Sequence, residues 1–436
     1  MPAKGDKKKG RIRGKRAEGS DDEYNSNDAA SCSSENKSVD IDIDTNDNDD
    51  NNNNQQMLFE DKLKQKIDDM TDKSLKTRID SFIAIEKIFA TKVLSEFVDE
   101  RKATLSDAIE RALKKGDSQE IIIAAKLTTS LCIQLGAYDT TEVIWENFKP
   151  ILMTIANDHT ASPNARAECC WALGINQFLA CDDDLDSLQL LTLFYNIFCG
   201  SFLKGNGSVK ILSNDVHSLH SSALGAWTLL LIELSPSNLI KYLTTIKTPN
   251  SITPLEGLCE LLNSTYLETR VTAGEALAAI IEITRDYTDD FEDELPYDIA
   301  DTLENLSKDG TKYRNKKDRK EQRAEFREIH KYFTDDIVPS VHVKFNTREK
   351  LYFDTWTSRI QYNALCRPLG PGINTHLADN MMLRDMFQLG NRVSSPLPKT
   401  QKSTKLERTL QNAAAFKART IQRSRNRDKR SAAIAQ

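Results

Sequence analysis

The sequence predicts an all-α protein: a HEAT/armadillo-like helical repeat solenoid with a small C-terminal module and a basic C-terminal helix. Three observations lead to this fold class. A short segment recurs about every 40 to 50 residues. The chain has only 7% aromatic residues, 17 Gly and 12 Pro, which argues against a large all-β sandwich. No alternation of strands and helices typical of a parallel sheet competes with the helical pattern.

The recurring segment begins with an arginine after a turn and then places small residues where a neighbouring helix must approach closely. Arg166–Leu173 aligns with Arg270–Leu277, and weaker copies lie before and between them. The equivalent small positions are 84, 130, 172, 226 and 276, with separations of 46, 42, 54 and 50. Units of this length stack to bury one continuous core, as HEAT and armadillo repeats do. An irregular helical bundle is the alternative architecture.

The net charge of -6 conceals segments of opposite charge. Residues 1–16 carry eight basic side chains and one acid, whereas residues 17–61 carry one Lys and fourteen acids. Residues 312–331 carry nine basic and four acidic side chains, and residues 399–436 carry eleven and two. The sequence therefore describes an acidic body with three basic segments attached.

These changes in composition divide the 436 residues into four predicted segments. Residues 1–58 are almost free of large apolar side chains, so we expect a disordered tail, basic and then acidic, that serves nuclear import, nucleic-acid contact or solubility. Residues 59–310 are the predicted repeats. Residues 311–398 are expected to form a small, mostly helical module, and residues 399–436 a basic C-terminal helix.

The helix predicted to open the C-terminal module has an apolar face and several cations. Phe326, Ile329 and Phe333 recur at i, i+3 and i+7, so we expect this face to dock on the body. The cations on its other faces form a platform for anions and are predicted to bind RNA: Lys316, Arg319, Lys320, Arg323 and Arg327. The alternative is a solvated helix stabilised by pairs between its own Glu and Arg residues.

Beyond that helix the sequence predicts one strand and two helices. Val341, Val343 and Phe345 alternate with polar residues, which is typical of a short strand. Apolar faces then predict helices at about 347–366 and 375–389.

The last segment is predicted to be a helix that gains order on binding phosphates. Thr404 and Glu407 have the spacing of a capping box. The cations predicted to bind RNA in this segment are Lys405, Arg408, Lys417, Arg419, Arg423, Arg425, Arg427, Lys429 and Arg430. A helix crowded with Arg repels itself until phosphates neutralise it. Because no base-reading element accompanies it, structured RNA is the predicted ligand, and a nuclear localisation signal is the alternative.

The sequence offers little for catalysis. Residues 205–207 and 370–372 are rich in Gly but lack the spacing of a phosphate-binding loop. His217 and His220 are spaced to share a metal, yet no paired Cys or carboxylate accompanies them. We therefore expect no catalytic residue, metal, cofactor or small-molecule substrate. The apolar stretch between Asp186 and Lys204 is too short and too polar to span a bilayer, so no membrane is expected as a partner. Eight Cys without paired spacing suit a reducing compartment.

Several of these segments resemble the interferon-related developmental regulator family, from about Leu63 to Arg430. The segments that carry the resemblance are Thr104–Gly116, Leu131–Gly136, Ala226–Leu231, Ala273–Leu277, Asp318–Arg327 and, most specifically, Ala413–Thr420 with Arg423–Arg430.

The resemblance implies an armadillo-like fold with a basic C-terminal region, and two kinds of function. Some members look like translation-silencing factors that occupy idle ribosomes and insert the C-terminal helix into the mRNA channel. Others act as nuclear co-regulators of transcription with histone-deacetylase corepressor proteins as partners. The cationic helices favour the first, so we expect a non-enzymatic, cytoplasmic protein that binds ribosomal RNA and ribosomal proteins and can shuttle to the nucleus. The nuclear co-regulator is the alternative.

Overall fold

The computed structural model describes residues 49–136, 139–180, 184–204, 206–245, 252–285, 287–288, 291–308, 316–338, 340–346 and 348–392. The chain divides into two units, Met1–Gly390 and Asn391–Gln436. Every helix and strand reported below belongs to the first unit. The predicted basic helix at 399–436 and most of the predicted N-terminal tail lie outside the described residues.

The described residues are mostly helical. The first helices in chain order are α1 (Asp49–Asp69), α2 (Leu75–Thr91), α3 (Ser95–Lys115), α4 (Ser118–Leu135), α5 (Asp139–Asn157), α6 (Pro163–Ala180), α7 (Asp184–Phe198) and α8 (Asn214–Leu231). The remaining elements are α9 (Pro236–Thr245), α10 (Pro254–Leu261), α11 (Leu267–Arg285), α12 (Ile299–Lys308), α13 (Lys316–Asp335), β1 (Val341–Lys344), β2 (Lys350–Phe353), α14 (Trp356–Leu369), α15 (Ile373–Asp379) and α16 (Met381–Met386).

The helices pair in chain order and then stack. Contacts join α1 to α2, α3 to α4, α5 to α6, α7 to α8, α10 to α11 and α12 to α13. The second helix of each pair also packs on the second helix of the next, which gives an inner stack of α2, α4, α6, α8, α11 and α13. This nearest-neighbour packing confirms the predicted helical repeat solenoid.

The predicted small positions all fall on this inner stack. Residues 84, 130, 172, 226 and 276 lie on α2, α4, α6, α8 and α11, respectively. Small side chains there allow neighbouring backbones to come close together. At Gly174 on α6, an added Cβ would lie 2.7 Å from Ala226 Cβ on α8, closer than real Cβ contacts. The repeat read from the sequence is therefore a pattern of helix–helix contact.

The arginines that open the repeated segments bind other parts of the repeats. Arg78 donates to both carboxylate oxygens of Glu120 on α4, at 2.6 and 3.0 Å. Arg166 Nε donates to the carbonyl of Ala156 at 2.9 Å. Buried Arg270 donates to Gln322 Oε1 on α13 at 2.6 Å. Each arginine thus satisfies an acceptor that stacking removes from water.

The C-terminal helices return to the start of the repeats. Helix α14 packs against α2, α4, α8 and α11 of the inner stack. His376 Nε2 on α15 lies 3.0 Å from the carbonyl of Phe89 on α2, and Asn380 Nδ2 donates to the carbonyl of Ile133 on α4 at 2.9 Å. Residues 316–390 therefore share a core with the repeats. The boundary predicted at 310 separates α12 from α13, which form one helix pair.

Two segments differ from the sequence expectation. Helix α1 begins at Asp49, inside the segment 1–58 expected to lack structure. The strand predicted from Val341 is confirmed as β1, but the prediction of helix from 347 is wrong: Lys350–Phe353 forms β2, antiparallel to β1, and α14 begins at Trp356. Leu351 and Phe353 alternate with exposed residues, which is the period of two of a strand. The apolar pattern of α14, which follows directly in the sequence, is longer and led to the prediction of a helix over both.

Candidate nucleic-acid interface

The apolar face of α13 fixes which side of this helix meets solvent. Phe326 and Ile329 are fully buried, and Phe333 is partly buried, which confirms the predicted docking face. A Cβ added at Gly274 on α11 would lie 2.9 Å from Ile329 and 3.0 Å from Phe326, so α11 and α13 are in close contact. Buried Gln322 accepts from Arg270 on the same side. Helix α12 covers a further part of α13, and the exposed charged residues of its first four turns are Lys317, Lys320, Glu321, Arg327 and Lys331.

Most charges of α13 separate onto two sides of the helix, with the exposed Lys317 lying between them. The cations predicted to bind RNA recur at i, i+3, i+4, i+7 and i+11 from Lys316, a spacing that places them along one face. The spacing of the acids, Asp318, Glu321, Glu325 and Glu328, places them together on another. The sequence expectation that the cations spread over several faces is therefore corrected: they form a single band.

We call this band the basic stripe, and its described side chains are Arg319, Lys320, Arg323, Arg327 and Lys331. Lys320, Arg327 and Lys331 are exposed, while Arg319 and Arg323 are half-buried. Arg323 Nε donates to the carbonyl of Arg319 at 3.1 Å. The Nε of Arg319 is buried without a hydrogen-bond partner.

Sequence reasoning missed Lys331. This lysine follows Arg327 by four residues, a spacing that places it on the same face of the helix one turn further on. The sequence contained this signal. Lys316 is the first residue of α13, but its side chain is not described.

Two acids on the acidic side of α13 are paired with a residue of another helix. Arg359 on α14 donates to Glu325 at 2.6 Å and to Glu328 at 2.6 Å. The guanidinium also lies 5.2 Å from the ring of Trp356. Two of the carboxylates opposite the stripe are thus held by one guanidinium on α14.

Glu275 on α11 lies close to this cluster. Burial, with the nearby charge of Glu325, raises the pKa of Glu275 to about 7, although the Arg359 guanidinium acts in the opposite direction. Burial also raises the pKa of Glu325. Proton uptake here removes negative charge behind α13.

The remaining predicted site residues lie on the basic tail. Those at positions 405, 408, 417, 419, 423, 425, 427, 429 and 430 lie outside the described residues, so their role stays a prediction.

His217 and His220, the residues spaced to share a metal, are both buried. His220 Nδ1 lies 2.6 Å from Ser201 Oγ, and burial lowers the pKa of His220 to about 4. His217 stacks on Tyr266 at 5.2 Å between ring centroids. Cys169 and Cys170 are buried, and burial raises the pKa of the Cys170 thiol to about 12. Across the part of the chain that the structure describes, no group of three His, Cys, Asp or Glu is placed to hold a metal.

Membrane insertion has no candidate helix in the described residues, because none is long and apolar enough to cross a bilayer.

These features define a class: a helical-repeat protein whose last repeat presents a rigid cationic helix face. The family follows from comparison. A model described as "Interferon-related developmental regulator (IFRD)" matches residues 25–334, and one described as "Interferon-related protein conserved region" matches residues 380–431. The first match begins earlier than Leu63, where the resemblance was expected to start. The chain belongs to the interferon-related developmental regulator family.

Individual relatives agree with this assignment. The chain is 37% identical over 378 residues to interferon-related developmental regulator 2 of Mus musculus, covering 86% of this chain and 84% of the relative. It is 40% identical to interferon-related developmental regulator 1 of Sus scrofa and 39% identical to that of Homo sapiens, each over 373 residues, 85% of this chain and 81% of the relative. These relatives are named as regulators rather than as enzymes.

Proposed function

We propose that this protein is a non-enzymatic factor that binds ribosomes through ribosomal RNA and ribosomal proteins and keeps idle ribosomes translationally inactive. The observation that carries the proposal is the basic stripe, a row of cations held on a helix that is packed into the solenoid. Fixed cations lose less conformational entropy on binding phosphate than cations on a floppy chain do. Charge on one face also suits the backbone of structured RNA, which is recognised by shape.

The tail supplies the inhibitory step of the proposal. Residues 399–436 carry eleven basic and two acidic side chains. Such a segment folds when phosphates neutralise its Arg residues, and its helix would enter the mRNA channel and exclude mRNA by occupancy. No bond is made or broken in this mechanism, so no catalytic residue is required. The protein would act in the cytoplasm and shuttle to the nucleus.

Co-sedimentation with idle ribosomes in a sucrose gradient tests the proposal. The full chain is expected in the ribosomal fractions, and deletion of residues 399–436 is expected to release it. A variant with Lys73→Gln and Lys76→Gln, two exposed lysines in the first repeats, is the control for loss of charge elsewhere. If the deletion variant sediments with ribosomes as the full chain does, the tail is not the anchor.

The alternative is a nuclear co-regulator that acts as a scaffold for histone-deacetylase corepressor proteins. Capture of endogenous partners at two salt concentrations separates the two functions. Ribosomal proteins with ribosomal RNA, lost at high salt, support the proposed function. Corepressor subunits in the absence of ribosomal RNA would replace it with the alternative.

A further inference from the structure

The hairpin formed by β1 and β2 has one buried face and one exposed face. Leu351 and Phe353 point inward, and the Phe353 ring lies 4.8 Å from that of Tyr362 on α14. His342 and Lys344 on β1 and Lys350 and Tyr352 on β2 are exposed. The hairpin is therefore anchored on the solenoid through its apolar face, and it presents the other face as a rigid surface.

The exposed face combines an aromatic pair with a pair of cations. Tyr352 is 56% exposed, and it lies opposite His342 with 5.6 Å between ring centroids. The next outward pair is Lys344 opposite Lys350. Like charges directly opposite each other on a sheet destabilise it. An anion between the two ammonium groups would remove that repulsion.

The nearest acid of the turn does not neutralise these lysines. Asn346 Oδ1 accepts from the backbone N–H groups of Arg348 and Glu349, at 2.8 and 2.7 Å, and so shapes the turn. Glu349 is bound by Arg384, which is fully buried and donates to it at 2.7 Å. This hydrogen bond lowers the pKa of Glu349. The carboxylate is thereby held by Arg384, while Arg348 adds a third exposed cation at the tip of the hairpin.

We propose that this exposed face, defined by His342, Lys344, Lys350 and Tyr352 with Arg348 at its tip, binds a short stretch of single-stranded RNA. The lysines and Arg348 would contact phosphates, and an unstacked base would lie on the Tyr352 ring. Bases stack on exposed aromatic rings in a sequence-tolerant way, and cations beside them follow the backbone. A peptide of Asp and Glu residues would use the cations but would bring no aromatic side chain to the Tyr352 and His342 pair.

The hairpin is close to the basic stripe along the chain. Five residues separate Asp335, the end of α13, from Val341. An extended chain of that length reaches about 20 Å at most. The proposal is that one RNA molecule contacts the stripe through its backbone and the hairpin through an unpaired base. The inference rests on the proposed function and adds a contact that distinguishes single-stranded from paired RNA.

The test measures binding of a fluorescently labelled 20-nucleotide polyuridine strand to the full chain by anisotropy, at several salt concentrations. Lys344→Gln with Lys350→Gln is expected to raise the Kd several-fold and to reduce the slope of log K against log salt by about 1.4, since two phosphate contacts are lost. Tyr352→Ala is expected to raise the Kd about tenfold without changing that slope. Tyr352→Phe keeps the ring and is expected to bind like the native chain.

Controls decide which claim fails. The Lys73→Gln, Lys76→Gln variant removes the same charge elsewhere and is expected to leave the Kd within twofold. If the native chain binds no polyuridine, the hairpin site falls, whereas the proposed function concerns structured ribosomal RNA and is decided by co-sedimentation with ribosomes. If the native chain binds and the hairpin variants match it, only the hairpin site is rejected. The assignment to single-stranded RNA would be overturned if Lys344→Gln with Lys350→Gln weakened binding while Tyr352→Ala did not. It would also be overturned if the native chain bound polyglutamate as tightly as polyuridine.

Discussion

At the scale of single residues, Arg359 is the side chain on which the surroundings of the basic stripe depend most. This one guanidinium serves Glu325 and Glu328 at 2.6 Å each, with Glu275 close behind. Removing the shared cation of a largely buried ion-pair cluster leaves carboxylates without a partner, which is more damaging than losing an exposed pair. The packing of α13 against α14 therefore depends on the ion pairs that Arg359 makes with the acids of α13.

Arg359→Gln is expected to lower the free energy of unfolding by about 3 kcal/mol at pH 7.5. Urea denaturation followed by circular dichroism measures this change. Lys114→Gln is the matched control, because Lys114 pairs with Glu110 on the exposed surface of α3. That substitution is expected to change the free energy of unfolding by less than about 0.5 kcal/mol. Equal effects of the two substitutions would show that the Arg359 cluster is energetically like a surface pair.

Glu275 is expected to make stability depend on pH. Burial raises its pKa to about 7 in the folded protein, above the usual value of 4.5. Between these two values the folded state holds a proton that the unfolded state has released, so stability falls as the pH rises from about 5 to 8.

Glu275→Gln removes the titrating carboxyl, so the variant should lose less stability than the native chain as the pH rises from about 5 to 8. The difference in unfolding free energy between the two proteins should change by about 1–3 kcal/mol over this pH range. Denaturation midpoints at pH 5, 6, 7 and 8 measure it. Glu304→Gln, at a carboxylate whose side chain is 45% exposed, is the control and should leave the pH profile parallel to that of the native chain. A parallel profile for Glu275→Gln as well would contradict the raised pKa.

At the scale of secondary-structure elements, close helix approach explains why the repeat was visible in the sequence. The small residues at 84, 130, 172, 226 and 276 recur because each inner helix meets the next one. Only the first strand of the hairpin was predicted from the sequence. Val341 and Val343 gave a period of two, but the partner strand is four residues long and directly precedes the helical pattern of α14. A short strand beside a longer helix leaves too few periods to detect.

Gly174→Ala is expected to destabilise the protein by about 1–3 kcal/mol, even though Ala favours helix over Gly by about 1 kcal/mol. The added Cβ would meet Ala226 Cβ at 2.7 Å and force α6 from α8. Chemical denaturation measures the change. A second variant that combines Gly174→Ala with Ala226→Gly restores the space and should recover part of the loss. Stabilisation by Gly174→Ala alone would show that α6 and α8 are not in close contact.

At the scale of the whole molecule, the C-terminal helices bind the first repeats rather than standing apart. Asn380 donates to the carbonyl of Ile133, 247 residues earlier in the chain, and His376 reaches Phe89. No spacing in the sequence reveals such contacts. The same limit applies to the site: composition predicted cations on α13, but the pairing of Glu325 and Glu328 with Arg359 depends on a contact between α13 and α14.

Asn380→Ala is expected to speed amide exchange in the last turn of α4 as well as in α16. The reason is that the side chain joins the two elements, and its loss leaves the buried carbonyl of Ile133 without this donor. Hydrogen exchange with mass spectrometry measures both regions at once. Asn147→Ala is the control, because Asn147 donates to Val143 within its own helix. Faster exchange confined to α16 would mean that the C-terminal helices open independently of the repeats.

The central claim is that the basic stripe on α13 is an RNA-binding surface. The most direct test is the affinity of the full chain for purified ribosomes, measured across a range of salt concentrations. The variant Lys320→Gln, Arg327→Gln, Lys331→Gln is compared with Lys62→Gln, Lys73→Gln, Lys76→Gln, three exposed lysines of the first repeats. The stripe variant is expected to bind at least tenfold more weakly and with a smaller salt dependence, while the control binds like the native chain. Equal affinity and equal salt dependence for both variants would contradict the claim.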